Sequence, residues 1–85
     1  MREIATLGKR LEDWTMEPIR DINQHMLCSA DPYRGVLEHT NRKEKIMIYL
    51  PVGGEVSFAK ETSFTIIRRE GHSMLRVYRY SQATG

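Results

Sequence analysis

Eighty-five residues with a formal charge of +2, of which 40% are hydrophobic and 28% charged, describe one small ordered domain and exclude an intrinsically disordered chain. No apolar run approaches the roughly 18 residues of a membrane span, and MREIATLGKRLEDW lacks the apolar core of a signal peptide. The lone cysteine, Cys28, excludes an internal disulfide, so a cytoplasmic protein without membrane contact is expected.

Charge is unevenly spread. Residues 1–31 carry four basic and six acidic side chains, a balance of −2, whereas residues 32–85 carry nine and five, a balance of +4. An anionic partner would therefore meet the C-terminal part first.

Taken in chain order, residues 3–28 read as helical. Ile4, Leu7, Leu11 and Trp14 recur at helical spacing, with Gly8 weakening the pattern. Thr15 suits the cap of a second helix, Pro18 its first turn, and Ile19, Ile22 and Met26 its apolar stripe. Both stripes are expected to pack on a sheet. Ser29-Ala30-Asp31-Pro32 ends this part.

Residues 33–80 read as strands. Tyr33 to Thr40 is the first, with Gly35 as a bulge, followed by a polar turn at residues 41–44. Lys45 to Leu50, the most apolar run, is expected at the centre of the sheet. Gly53-Gly54 signals a hairpin into Glu55 to Lys60. Ser63 to Arg69 and Ser73 to Tyr80 form a second hairpin around Glu70-Gly71, and the small polar residues 81–85 form a frayed tail. Short connections make consecutive strands neighbours. The expected fold is α+β, a single domain over residues 1–85. One or two N-terminal helices pack on a five-stranded antiparallel meander, either open or curled into a small SH3-like or Sm-like barrel.

The second hairpin holds the densest basic and aromatic cluster. A turn centred on Glu70-Gly71 puts Phe64, Ile66, Leu75 and Val77 on the core face. The other face then presents Arg69, His72, Met74, Arg76, Tyr78 and Tyr80, together with Ile67, while Arg68 and Arg79 turn inward. Arginine forks pair with carboxylate or phosphate, and tyrosine rings stack on bases. Tyrosine, arginine and methionine are also common at protein interfaces. The modest net charge, and the apolar Ile67 and Met74, favour a protein partner over nucleic acid, with a second copy of the chain as one such partner.

The leading expectation is thus a small non-enzymatic regulatory or inhibitory binding protein. An RNA or single-stranded DNA binder using the same face is the alternative. A ribonuclease centred on His72, with Arg69, Arg76 and Tyr78 beside it, is the second alternative. No phosphate-binding loop, dinucleotide fingerprint or paired-carboxylate motif is present, and no cofactor is expected. His25 and Cys28 sit three residues apart, but His39 and His72 would have to complete a metal site, and no CxxC or HxxxH supports one.

Overall fold

The computed structural model describes residues 2–8 and 16–81. These residues form eight strands and no helix. The strands are β1 (Arg2–Gly8), β2 (Glu17–Arg20), β3 (Met26–Asp31), β4 (Val36–Asn41), β5 (Glu44–Tyr49), β6 (Glu55–Lys60), β7 (Ser63–Gly71) and β8 (Met74–Ser81). They make two antiparallel four-stranded sheets, ordered β1-β8-β7-β6 and β2-β3-β4-β5. Ile19, Cys28, Ala30 and Leu37 of the second sheet join Ile67, Leu75 and Val77 of the first in one buried cluster. The molecule is a two-layer sandwich with its core between the layers.

The α+β expectation is therefore corrected to all-β, and the described residues form neither a five-stranded meander nor a single SH3-like or Sm-like barrel. At the N-terminus, pairing overrides the helical stripe. Every residue of β1 faces a residue of β8, from Arg2 opposite Tyr80 to Gly8 opposite Met74. Ala5 and Leu7 then turn toward the core while Ile4 stays 50% exposed. Leu11, Trp14 and Thr15 lie outside the described residues.

The second expected helix is a hairpin, β2–β3. Pro18 lies on an edge strand, where a missing ladder donor does little harm. Asp21 breaks the helical pattern because its side chain bonds its own chain. Oδ1 accepts from the N–H groups of Asn23 at 2.9 Å and His25 at 2.8 Å, closing the turn.

All five expected C-terminal strands form, but they are divided between the layers. The run from Lys45 to Leu50 does not lie at the centre: β5 is an edge strand with Ile46, Met47 and Tyr49 exposed. Gly53-Gly54 turns the chain, but from one sheet to the other rather than into a hairpin. Gly54 N–H donates to Pro51 O at 2.8 Å, and Gly53 has φ +89°. Gly53 N–H donates to Arg69 O and Arg69 N–H to Gly54 O, at 2.7 and 2.9 Å, which commits the chain to the β7 side before β6 begins.

Gly35 closes the β3–β4 turn instead of forming a bulge. Its φ is +68°, and a Cβ there would stand 2.6 Å from Leu50 O and 2.7 Å from the Arg69 side chain. Gly71 has no such neighbour. Gly35→Ala is expected to destabilise the protein by roughly 2–3 kcal/mol, combining left-handed strain with displacement of Arg69. Gly71→Ala should change stability by less than about 1 kcal/mol. Urea denaturation of the two variants checks the contrast.

Candidate interaction surface

The β7–β8 ladder decides which side chains reach solvent. Ile67 lies opposite Val77, Ile66 opposite Tyr78 and Phe64 opposite Tyr80, with a bulge between Arg69 and Gly71. The turn is His72-Ser73, closed by Gly71 and Met74. The face assignment on β8 matches the expectation: Leu75 and Val77 are inside, and Arg76, Tyr78 and Tyr80 are outside. On β7 it is inverted. Ser63, Thr65 and Ile67 are buried, while Phe64 and Ile66 take the outer face with the exposed Arg68.

Cross-strand register assembles this outer face into rows, since partners on adjacent strands project to the same side. One row runs Arg2, Tyr80, Phe64, Ala59, and the next runs Ile4, Tyr78, Ile66, Ser57. A third runs Thr6, Arg76, Arg68, Glu55. The Phe64 and Tyr80 rings lie 6.3 Å apart at 43°, a tilted aromatic contact. A shallow depression lined by Glu55, Ile66, Arg68, Tyr78 and Tyr80 sits across the rows.

Carboxylates answer both central arginines. Arg68 Nε lies 4.0 Å from Glu55 Oε1, and Arg76 Nη1 lies 3.9 Å from Glu70 Oε1. Tyr78 Oη donates to Glu70 Oε1 at 3.1 Å. These long, exposed ion pairs contribute little to stability. They do leave the face close to charge balance.

Of the six residues singled out from sequence, Met74, Arg76, Tyr78 and Tyr80 share this face. His72 stands exposed in the turn. Arg69 lies elsewhere, its guanidinium reaching Leu50 O at 2.9 Å, His72 O at 3.1 Å, Tyr33 O at 3.2 Å and Gly71 O at 3.3 Å. It clamps the β3–β4 turn, the β5–β6 link and its own hairpin together. Arg79 also turns away, donating to Arg20 O at 2.6 Å and to Glu3 Oε1 at 2.9 Å. Ile4, Phe64, Ile66 and Arg68 belong to the face, and sequence reasoning missed them. Phe64 and Ile66 alternate with Thr65 and Ile67, so either set could fill a core.

Several titratable groups outside this face serve the fold. His39 Nδ1 donates to Leu27 O at 2.7 Å, and its ring packs on Phe58 at 5.4 Å. His25 Nδ1 donates to Asp21 Oδ2 at 3.1 Å. Among the described residues no three histidine, cysteine, aspartate or glutamate side chains gather as metal ligands. Cys28 is buried on strand β3 rather than at a helix end, and burial pushes its thiol up to about 12.

Asp21 joins the layers. Besides the two N–H groups of its turn, its carboxylate accepts from the Ser63 hydroxyl at 2.8 Å, across to the start of β7. Serine and histidine both donate to the same aspartate, so the histidine is not placed to take the serine proton, and the trio is not a nucleophilic triad. Burial pushes the Asp21 carboxyl up, but the donors from His25, Ser63 and Asn23 outweigh it and hold the group below the usual carboxylate range.

No family model matches the chain, and no significant match is found among curated proteins or solved structures.

A depressed folded-state pKa contributes stability that is complete above the unfolded-state value of roughly 4 and is lost as pH falls toward the folded-state value. Stability should therefore drop with acid below roughly pH 4, and Asp21→Asn should flatten that part of the profile while lowering stability at neutral pH. Chemical denaturation at stepped pH measures both. Cys28 should react with a thiol reagent in denaturant and resist it in the native protein at pH 8, a comparison that absorbance titration of the released thiol product reads directly.

Proposed function

We propose that this chain is a small non-enzymatic binding protein of regulatory or inhibitory type, acting on a protein partner through the outer face of the β1-β8-β7-β6 sheet. The supporting observation is a face that no other strand of the described residues covers, on which the exposed Ile4 and the half-buried Phe64 and Ile66 stand among Tyr78, Tyr80, Arg68 and Arg76. An apolar centre among aromatic and arginine side chains is the composition that concentrates binding energy at protein interfaces. The partner surface that fits it is apolar with carboxylates at its margin. Arg68 and Arg76 can exchange their long intrachain pairs for closer intermolecular ones at little cost.

Two observations weigh against the other readings. Glu55 and Glu70 lie beside the arginines that a phosphate backbone would have to reach, which disfavours single-stranded nucleic acid. A ribonuclease centre at His72 draws on Arg69, whose guanidinium is taken up by backbone carbonyls. Among the described residues no helix is long and apolar enough to cross a membrane. A cytoplasmic location is part of the proposal and rests on the lone, buried cysteine.

Affinity capture from a lysate of the source organism, with and without nuclease treatment, tests the reading. A protein should be retained after nuclease and lost with a folded Ile66→Glu/Arg76→Glu variant, by at least about tenfold for two residues of this kind. Retention by the variant would remove the face assignment. Binding that disappears with nuclease would move the face to nucleic acid.

A further inference from the structure

The open edge of the other sheet carries a second surface. Large hydrophobic side chains stand exposed along it and just beyond it: Ile46, Met47, Tyr49 and Val52 are 41%, 44%, 70% and 48% exposed. Among the described residues, strand β5 pairs with β4 on one side only. A long apolar edge of this kind is a template for another strand. The other edge of this sheet, β2, is short and carries Pro18. Lys45 is the one charge in the middle of the run, and Glu38 on β4 partly balances it at 3.3 Å.

Hydrogen-bond parity fixes which groups the edge offers. The Arg42-Lys43 turn closes on Asn41 opposite Glu44, and Leu50 N–H donates to Gly35 O at 2.8 Å, one step beyond the Val36–Tyr49 pair. Both place the main-chain groups of Glu44, Ile46, Ile48 and Leu50 toward β4. Those of Lys45, Met47 and Tyr49 therefore point away from the sheet, as donors and acceptors with no strand partner among the described residues.

We infer that β5 pairs antiparallel with β5 of a second copy of this chain, about a two-fold axis through Met47. Axes through the three residues with outward groups give three registers, and axes through Ile46 or Ile48 give two more, of which the first sets Glu44 against Ile48 and the second sets Lys45 against Pro51, which has no N–H. An axis at Lys45 sets like charges face to face. An axis at Tyr49 places Pro51, which has no N–H, against Met47. An axis at Met47 sets Lys45 against Tyr49 in hydrogen-bonded pairs, an ammonium beside an aromatic ring, and Ile46 against Ile48. This register pairs residues 45–49 with themselves and sets neither like charges nor a proline opposite one another within them. It fuses the two four-stranded sheets into one continuous sheet and covers the exposed methionine and isoleucine. The surface lies on the opposite layer from the proposed binding face, so each stands or falls alone.

Sedimentation equilibrium and site-directed cross-linking test this. The parent protein should be dimeric, and Met47→Lys, an exposed position that leaves the monomer's contacts intact, should be monomeric with unchanged thermal stability of the monomer fold. Cα atoms of such a pair stand about 5.5 Å apart, within disulfide reach. M47C should therefore cross-link to itself under mild oxidation, K45C should not, and a mixture of K45C and Y49C should give the mixed dimer. Buried Cys28 does not compete. A parent protein that stays monomeric up to about 1 mM, the weak end of specific association, overturns the inference. So does a dimer that survives M47K, or one in which K45C links to itself.

Discussion

One extra residue in the β7–β8 ladder governs the character of the whole first sheet. The hairpin closes with Gly71 opposite Met74. Continued without interruption, that register would set Glu70 against Leu75, Arg68 against Val77 and Ile66 against Arg79. The even-numbered residues of β7 would then share the core face with Leu75 and Val77. Instead Glu70 is bulged out and Arg69 stands opposite Leu75. A one-residue slip exchanges the faces of a strand. Ile67 and Thr65 go inside, Phe64 and Ile66 go outside, and Arg69 points inward, where it can clamp. The bulged residue then serves the face it created, since Glu70 accepts from Tyr78 and pairs with Arg76.

The two layers are held at opposite corners by polar groups rather than by apolar burial alone. Arg69 gathers carbonyls from three separate segments around Gly35 and Leu50. Asp21 gathers the β2–β3 turn and the start of β7. A domain of this size buries only a modest core, and apolar contacts alone leave two sheets free to slide. Groups that demand particular partners do not tolerate sliding, because a buried carboxylate stripped of donors costs far more than a shifted methyl group. Thr65 shows the other side of that balance. Its hydroxyl is buried without a partner among the described residues, which fits a strand whose faces were set by the bulge rather than by side-chain polarity.

Strand positions in the C-terminal part were legible because local chemistry and final structure agree there. Ile66, Ile67, Val77 and Tyr78 are residues that suit a pleated surface, and Asn41-Arg42-Lys43-Glu44 is a turn under any arrangement. Layer assignment was not legible. The Pro51–Gly54 turn satisfies the same signals whether it returns a strand to its own sheet or delivers it to the other; the Arg69 bonds to Gly53 and Gly54 decide, and they are long-range. The N-terminal helices failed for a related reason. Ile4 and Leu7 sit three apart, which fits a helix, but Ala5 and Leu7 also fit the alternation of a strand, and the waiting edge of β8 favours the latter. Asp21 and Asn23 did carry a turn signal, which the apolar spacing of Ile19, Ile22 and Met26 outweighed. In the candidate site, Arg76, Tyr78 and Tyr80 were readable from alternation on β8. Ile66 and Phe64 were not, because a bulge leaves no mark in hydrophobic pattern.

The geometry of an edge-paired dimer bears on how the binding face is displayed. Antiparallel strands related by a two-fold axis keep their inner faces on one side of the joint sheet, because the axis runs perpendicular to the sheet plane. The β1-β8-β7-β6 layers of both copies then pack on that same side, and their outer faces, with Phe64, Ile66, Arg76 and Tyr78, look the same way. If both proposals hold, two such faces in one rigid body would engage a two-fold or repetitive target bivalently, the second contact forming at high effective concentration. Modest affinity per face is sufficient under that arrangement. That accords with a surface whose arginines are partly occupied by Glu55 and Glu70 and whose apolar centre is small. Self-association through one sheet and recognition through the other are thus compatible, because the sandwich gives each its own layer.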